Sequence, residues 1–293
     1  MNKTTCLKRL EASLQDRRSA EATIKMYSYY IGCFLDYVNK DTSKITDNDV
    51  RAYINYLLDE KEYSPASANL VLSDLSYLFD VVLNRPLSKR KFPNLTQDDV
   101  DPEVFTLDEI ECLLSNADVR LKAMIMLGIG SGLRVSEVAR LKICNIDSTN
   151  MLLTIELSKR RKTRKVKLSN VCLLALREYY VLYKEQIISC GNIYMFPSLH
   201  KDTGSPFRNP SSINYDFREL LKKCGISKNA CFHCLRHTYA TMSLENGTDI
   251  FVLKKMLGHK SFASTSRYIA MTTKEIQATT SPLDSLEIRN HEK

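Results

Sequence analysis

At 293 residues, 44% hydrophobic and 26% charged, the chain has the make-up of a folded protein rather than a disordered one, and it is long enough for two domains. No apolar run approaches the roughly 18 residues that would span a bilayer, and nine cysteines, an odd number behind a charged start with no signal peptide, point to free thiols in a reducing, cytoplasmic setting. The formal charge of +8 favours an anionic partner and is unevenly spread: residues 1–103 carry 14 Lys+Arg against 16 Asp+Glu, which leaves +10 for residues 104–293.

Residues 1–84 read as a four-helix domain. A short helix is expected near Leu7 to Leu14. A longer one runs through 22–38, with Ile24, Tyr27, Ile31, Phe34, Leu35 and Val38 at helical spacing. The third starts after Thr46, with Asp49 three residues on and Val50, Tyr53, Ile54 and Leu57 along one face. The fourth, 64–83, opens on Ser64-Pro65. Residues 85–104 hold three prolines and mixed charge without periodicity, and are expected to be a linker. Thr106 and Glu109 form a capping box that opens the second domain, 105–285, leaving 286–293 as a tail.

The second domain is expected to run as helices to about 145, a strand pair, then helices to the end. The pair is 151–157 and a second strand from Val166, around a turn so basic that seven of the nine residues from Lys159 to Lys167 are Lys or Arg. In isolation such a run is a solvated loop. On a hairpin tip beside an active site it becomes a phosphate-seeking finger, with Arg160, Arg161, Lys162, Arg164 and Lys165 as DNA contacts.

Three segments carry candidate chemistry. In SGLRVSEVARL (131–141), Arg134 follows a glycine turn at a helix start and Glu137 lies three residues on. Such a pair is ordinarily a surface ion pair. In a functional reading Glu137 holds the guanidinium rigid while it grips two phosphate oxygens. In FHCLRHTYAT (232–241), His233 and Arg236 share one face at the start of a helix that ends at Asn246-Gly247, a natural oxyanion or phosphate site. His237 reads as structural. Cys231 with Cys234, and His233 with His237, have zinc-ligand spacings, but the pairs overlap within seven residues and would struggle to surround one ion, so no metal is expected. The third segment, 249–270, is a helix ended by Gly258, then His259, then a short helix bearing Tyr268.

Together these motifs resemble the tyrosine recombinase, or phage integrase, family, and within it the Xer-type and simple integrase members. SGLRVSE, HCLRHTYAT and LGHKS...RY match the family's catalytic boxes in type, order and spacing, and Lys159 matches its β-hairpin lysine. The resemblance covers nearly the whole chain. It implies a mainly α fold with a small β-sheet: an N-terminal four-helix, SAM-like core-binding domain joined to an α+β catalytic domain. It also implies a mechanism in which Tyr268 attacks a DNA phosphate to give a 3′-phosphotyrosyl link. His233 takes the phenolic proton, Arg134 and Arg236 hold the non-bridging oxygens and His259 adds a hydrogen bond. Lys159 protonates the leaving 5′ oxygen, with Lys162 as its rival because the hairpin lacks the usual glycine-flanked lysine. No ATP, metal or other cofactor is needed.

The implied partners are a specific double-stranded DNA site held in a C-shaped clamp, and a homo-tetramer built through the segment past residue 272. An accessory directionality factor is left open, and the setting would be the nucleoid. Competing readings are a type IB topoisomerase, a catalytically idle DNA-binding regulator on the same fold, and a metal-dependent nuclease, which would need an acidic cluster that these motifs lack.

Overall fold

Local capping signals set the helices of the first unit, Met1–Val100, in the computed structural model, which describes residues 1–88, 90–96, 102–156, 163–198 and 205–259 together with 261, 262, 265 and 268. Helix α1 (Lys3–Asp16) starts earlier than its apolar pattern suggests, because the Asn2 side chain accepts from the Thr5 amide at 2.9 Å. Helix α2 (Glu21–Val38) closes on Asn39 in the left-handed conformation. Helix α3 (Asp47–Asp59) carries the expected capping box, with the Thr46 amide donating to Asp49 Oδ2 at 2.8 Å. Helix α4 (Pro65–Tyr77) continues into a π-helical turn, Leu78–Val82. Ile31, Phe34, Val50, Val71, Leu75 and Phe79 meet in the core.

The first part of the expected linker is built into this unit. Leu87, Phe92 and Leu95 pack on its core, Asn69 brackets Leu95 with two hydrogen bonds (2.8 and 3.0 Å), and Arg85 donates to the Ile45 carbonyl at 2.7 Å. Single anchors at irregular spacing have no period to betray them.

In the second unit, Asp101–Lys293, helix α5 (Leu107–Asn116) starts at the expected box, with the Thr106 amide 2.8 Å from Glu109 Oε2. Helix α6 (Val119–Ser131) packs on α8 (Asn170–Leu182) and α11 (Phe232–Glu245). Gly128 permits the close approach to α11: a Cβ there would lie 3.1 Å from Leu235 and 3.2 Å from Phe232. Helices α7 (Val135–Ala139), α9 (Lys184–Ser189), α10 (Pro210–Lys223) and α12 (Ile250–Leu257) complete the described α-helices.

The sheet is antiparallel, in the order β1 (Ile146–Asp147), β2 (Leu152–Glu156), β3 (Thr163–Lys167). The expected pair thus gains a third strand, which at two residues is too short to show alternation. Strand β3 also begins at Thr163 rather than Val166, so Arg164 and Lys165 belong to the ladder, opposite Ile155 and Thr154. No described helix is long and apolar enough to cross a membrane.

Candidate active site

The end of α6 sets the first component. Gly132 takes the left-handed conformation (φ 63°), and a Cβ there would come within 2.5 Å of the Tyr239 ring, so glycine is required twice over. The turn delivers Arg134 to the N-cap of α7, where Glu137 reaches back to its amide (2.9 Å) and to its Nη1 (3.1 Å). The same carboxylate takes a bidentate pair from Arg164, Nη1 to Oε1 at 2.7 Å and Nη2 to Oε2 at 2.8 Å. Burial alone would raise the Glu137 pKa, but the paired Arg164, with Arg134 beside it, holds it at about 2.

Arg164 therefore corrects the expectation of a finger residue that touches DNA. Strand alternation turns it inward with Val166, it is buried, and its Nε donates to the Met256 carbonyl at 2.6 Å. A phosphate cannot reach its fork while Glu137 occupies it. Lys165, its neighbour on the other face, is exposed. Lys159, Arg160, Arg161 and Lys162 lie outside the described residues.

Helix α11 presents His233, Arg236 and His237 on one face. Arg236 is 0% exposed; Nη1 donates to the Gly132 carbonyl (2.7 Å) and Nη2 to the Leu257 carbonyl (2.5 Å), so it caps the negative ends of α6 and α12 together. It stands 3.9 Å from Glu137 Oε2. Burial first, and Arg134 second, lower its pKa to about 9. The Arg134 side chain, at 34% exposure, is the more open of the two predicted phosphate-gripping guanidiniums.

His259 follows Gly258, the left-handed C-cap of α12, and its Nδ1 lies 2.9 Å from Thr265 Oγ1. His233 and His259 are both lowered to about 4, in each case by burial first and then by nearby positive groups, Arg236 and Arg134 among them. Both imidazoles are neutral at pH 7.

Tyr268 is 8% exposed, its ring packed against Ala240, Leu253 and Leu257. Its hydroxyl lies 2.7 Å from Nδ1 of His237, the histidine expected to be structural, whereas His233 was the expected acceptor. The structure thus gathers Arg134, Glu137, His233, Arg236, His259 and Tyr268 from three stretches of sequence, and adds Arg164 and His237. The signals for these two are weak but real: an alternate position opposite Ile155 for Arg164, and i+4 spacing from His233 for His237.

The Phage integrase family model matches residues 103–275, and that of the phage integrase N-terminal SAM-like domain matches residues 6–89. Over 257 residues the chain is 30% identical to the tyrosine recombinase XerA of Pyrococcus horikoshii, covering 87% of this chain and 85% of that one. Among solved structures, the crystal structure of XerA recombinase is 29% identical with a TM-score of 0.53, over 93% of this chain and 96% of that one. A lambda integrase (75–356) dimer bound to a COC′ core site shares the fold, with a TM-score of 0.72 at 21% identity over 99% of this chain and 100% of that one. With the family match spanning more than half of the chain and the N-terminal match most of the remainder, the protein belongs to the phage integrase family and is a tyrosine-type site-specific DNA recombinase.

Proposed function

We propose that this recombinase cuts and rejoins duplex DNA through a 3′-phosphotyrosyl intermediate on Tyr268. The observation that carries the reading is a charge imbalance beside a tyrosine: among the described residues, three guanidiniums, Arg134, Arg164 and Arg236, surround one carboxylate, that of Glu137. A scissile phosphate diester supplies the missing negative charge. Preorganised donors aimed at developing charge supply the largest part of such catalysis.

In this mechanism the Tyr268 oxygen forms a bond to phosphorus as the bond from phosphorus to the 5′ oxygen breaks. The phenolic proton leaves to a neutral imidazole on α11, for which the sequence nominates His233. A lysine of the basic hairpin, Lys159 or Lys162, protonates the departing 5′ oxygen. Arg134 grips the non-bridging oxygens from the open side; Arg236, fully buried with both Nη atoms on the Gly132 and Leu257 carbonyls, adds its positive charge from beneath, and His259 adds a donor. Because the phosphodiester energy is kept in the phosphotyrosine, resealing needs neither ATP nor a metal.

The lambda integrase neighbour is bound to its core site, which supports a duplex partner here. The exposed Lys165 and the basic tip make affinity steeply dependent on salt. The segment past residue 272 lies outside the described residues; the family resemblance assigns it to docking on a neighbouring protomer in a tetramer, so its deletion should spare DNA binding and abolish synapsis.

The test is a nicked suicide duplex drawn from DNA flanking the gene, incubated with the protein in EDTA. A covalent adduct that is lost in Tyr268→Phe, together with exchange between two sites, supports the recombinase mechanism. An adduct that only relaxes supercoils points to a topoisomerase, and salt-sensitive binding without any adduct points to an idle regulator.

A further inference from the structure

The phenol of Tyr268 sits in a small apolar box, and its backbone amide closes a turn onto the Thr265 carbonyl at 3.1 Å. Ring packing and the turn set the depth of the side chain. Its polar tip meets His237, with 2.7 Å between the hydroxyl and Nδ1 and 5.6 Å between the ring centroids. In the tautomer that carries its proton on Nε2, His237 accepts from the phenol through Nδ1.

His237 is itself held in place. It lies one helical turn after His233, whose ring meets it edge-on with 4.7 Å between centroids, and it follows Arg236, which locks α11 to the ends of α6 and α12. A chain of fixed groups therefore runs from the Glu137 cluster through α11 to the tyrosine oxygen.

We propose that His237 is a positioning residue for Tyr268: through Nδ1 it orients the phenolic oxygen relative to the site organised by Glu137. The proposal rests on the reading of Tyr268 as nucleophile. It predicts a rate defect confined to the attacking side of the reaction, since a displacement of about 1 Å in a nucleophile costs roughly 100-fold.

The test compares wild type, Tyr268→Phe, His237→Ala and His237→Asn in single-turnover adduct formation at saturating suicide duplex, with the dissociation constant for DNA and the thermal midpoint measured alongside. Asparagine places a polar atom as many bonds from Cα as Nδ1 is. The expected result is a loss of roughly 100-fold in His237→Ala, substantial rescue in His237→Asn, and unchanged DNA affinity in both. A role in packing alone predicts that both variants lose thermal stability and rate together, without rescue, and that outcome overturns the proposal.

A duplex whose 5′-bridging oxygen is replaced by sulfur gives an independent readout, because the thiolate leaves without a proton. The His237→Ala defect persists on that duplex if His237 acts on the nucleophile; relief of the defect places it at the leaving group and overturns the proposal. An unchanged rate in His237→Ala, with Tyr268→Phe inactive, overturns it while leaving the phosphotyrosyl mechanism intact. An absent adduct in wild type removes both.

Discussion

Two buried carboxylates, one in each unit, are pushed in opposite directions. Asp74, on α4, is raised to about 6 by burial, which the Tyr27 hydroxyl beside it offsets only in part. Glu137, largely enclosed as well, is held at about 2 because two arginines bond to it and a third stands nearby. Burial is common to both; what differs is the supply of cations. In the first unit a buried charge is a net cost, whereas in the second it organises guanidiniums that would otherwise repel one another.

The largest expected effect comes from breaking the second case. Glu137→Gln leaves Arg164 and Arg236 buried without a counter-charge, and should cost about 3–5 kcal/mol of stability in denaturant unfolding, along with adduct formation. Arg164→Ala should cost about 2–4 kcal/mol yet leave the salt dependence of DNA binding unchanged, because the side chain faces Glu137 rather than the duplex. Asp74→Asn tests the first case with the opposite sign: a gain of roughly 1–3 kcal/mol at pH 7.5, shrinking by pH 5 as the wild-type acid protonates. Lys165→Ala should leave stability within about 0.5 kcal/mol and lower the slope of log affinity against log salt by about 1.

The pH dependence follows the same division. Glu137 is depressed below its ordinary value of 4.5, so its contribution is complete above that pH and is lost as pH falls toward about 2. His233 and His259 are neutral in the fold and would be charged in the unfolded chain below 6.5, so stability also declines from pH 6.5 toward about 4. Asp74 runs the other way, its stabilisation being complete below 3.8 and lost as pH rises through about 6. Guanidinium unfolding of Asp74→Asn across pH 4–8 should therefore show a steeper acid loss than wild type.

Much of the site was legible in the sequence because short local signals coincide with it. The boxes at Thr46/Asp49 and Thr106/Glu109, the glycines at 132 and 258, and the i, i+3 pair His233/Arg236 sit where their chemistry requires. Arg164 escaped because seven basic residues in nine mask the alternation of a strand, so that a residue paired opposite Ile155 looked like part of the turn. Residues 85–95 looked like linker because their anchors, Leu87, Phe92 and Leu95, are not periodic. The role of His237 depends on a contact with a residue 31 positions away, which spacing within one helix cannot register.

The most direct test of the account is to trap the adduct on the suicide duplex, digest it, and locate the phosphonucleotide by mass spectrometry. The account predicts modification of the peptide bearing Tyr268. A phosphonucleotide on any of the other fourteen tyrosines, or on a serine, would contradict it.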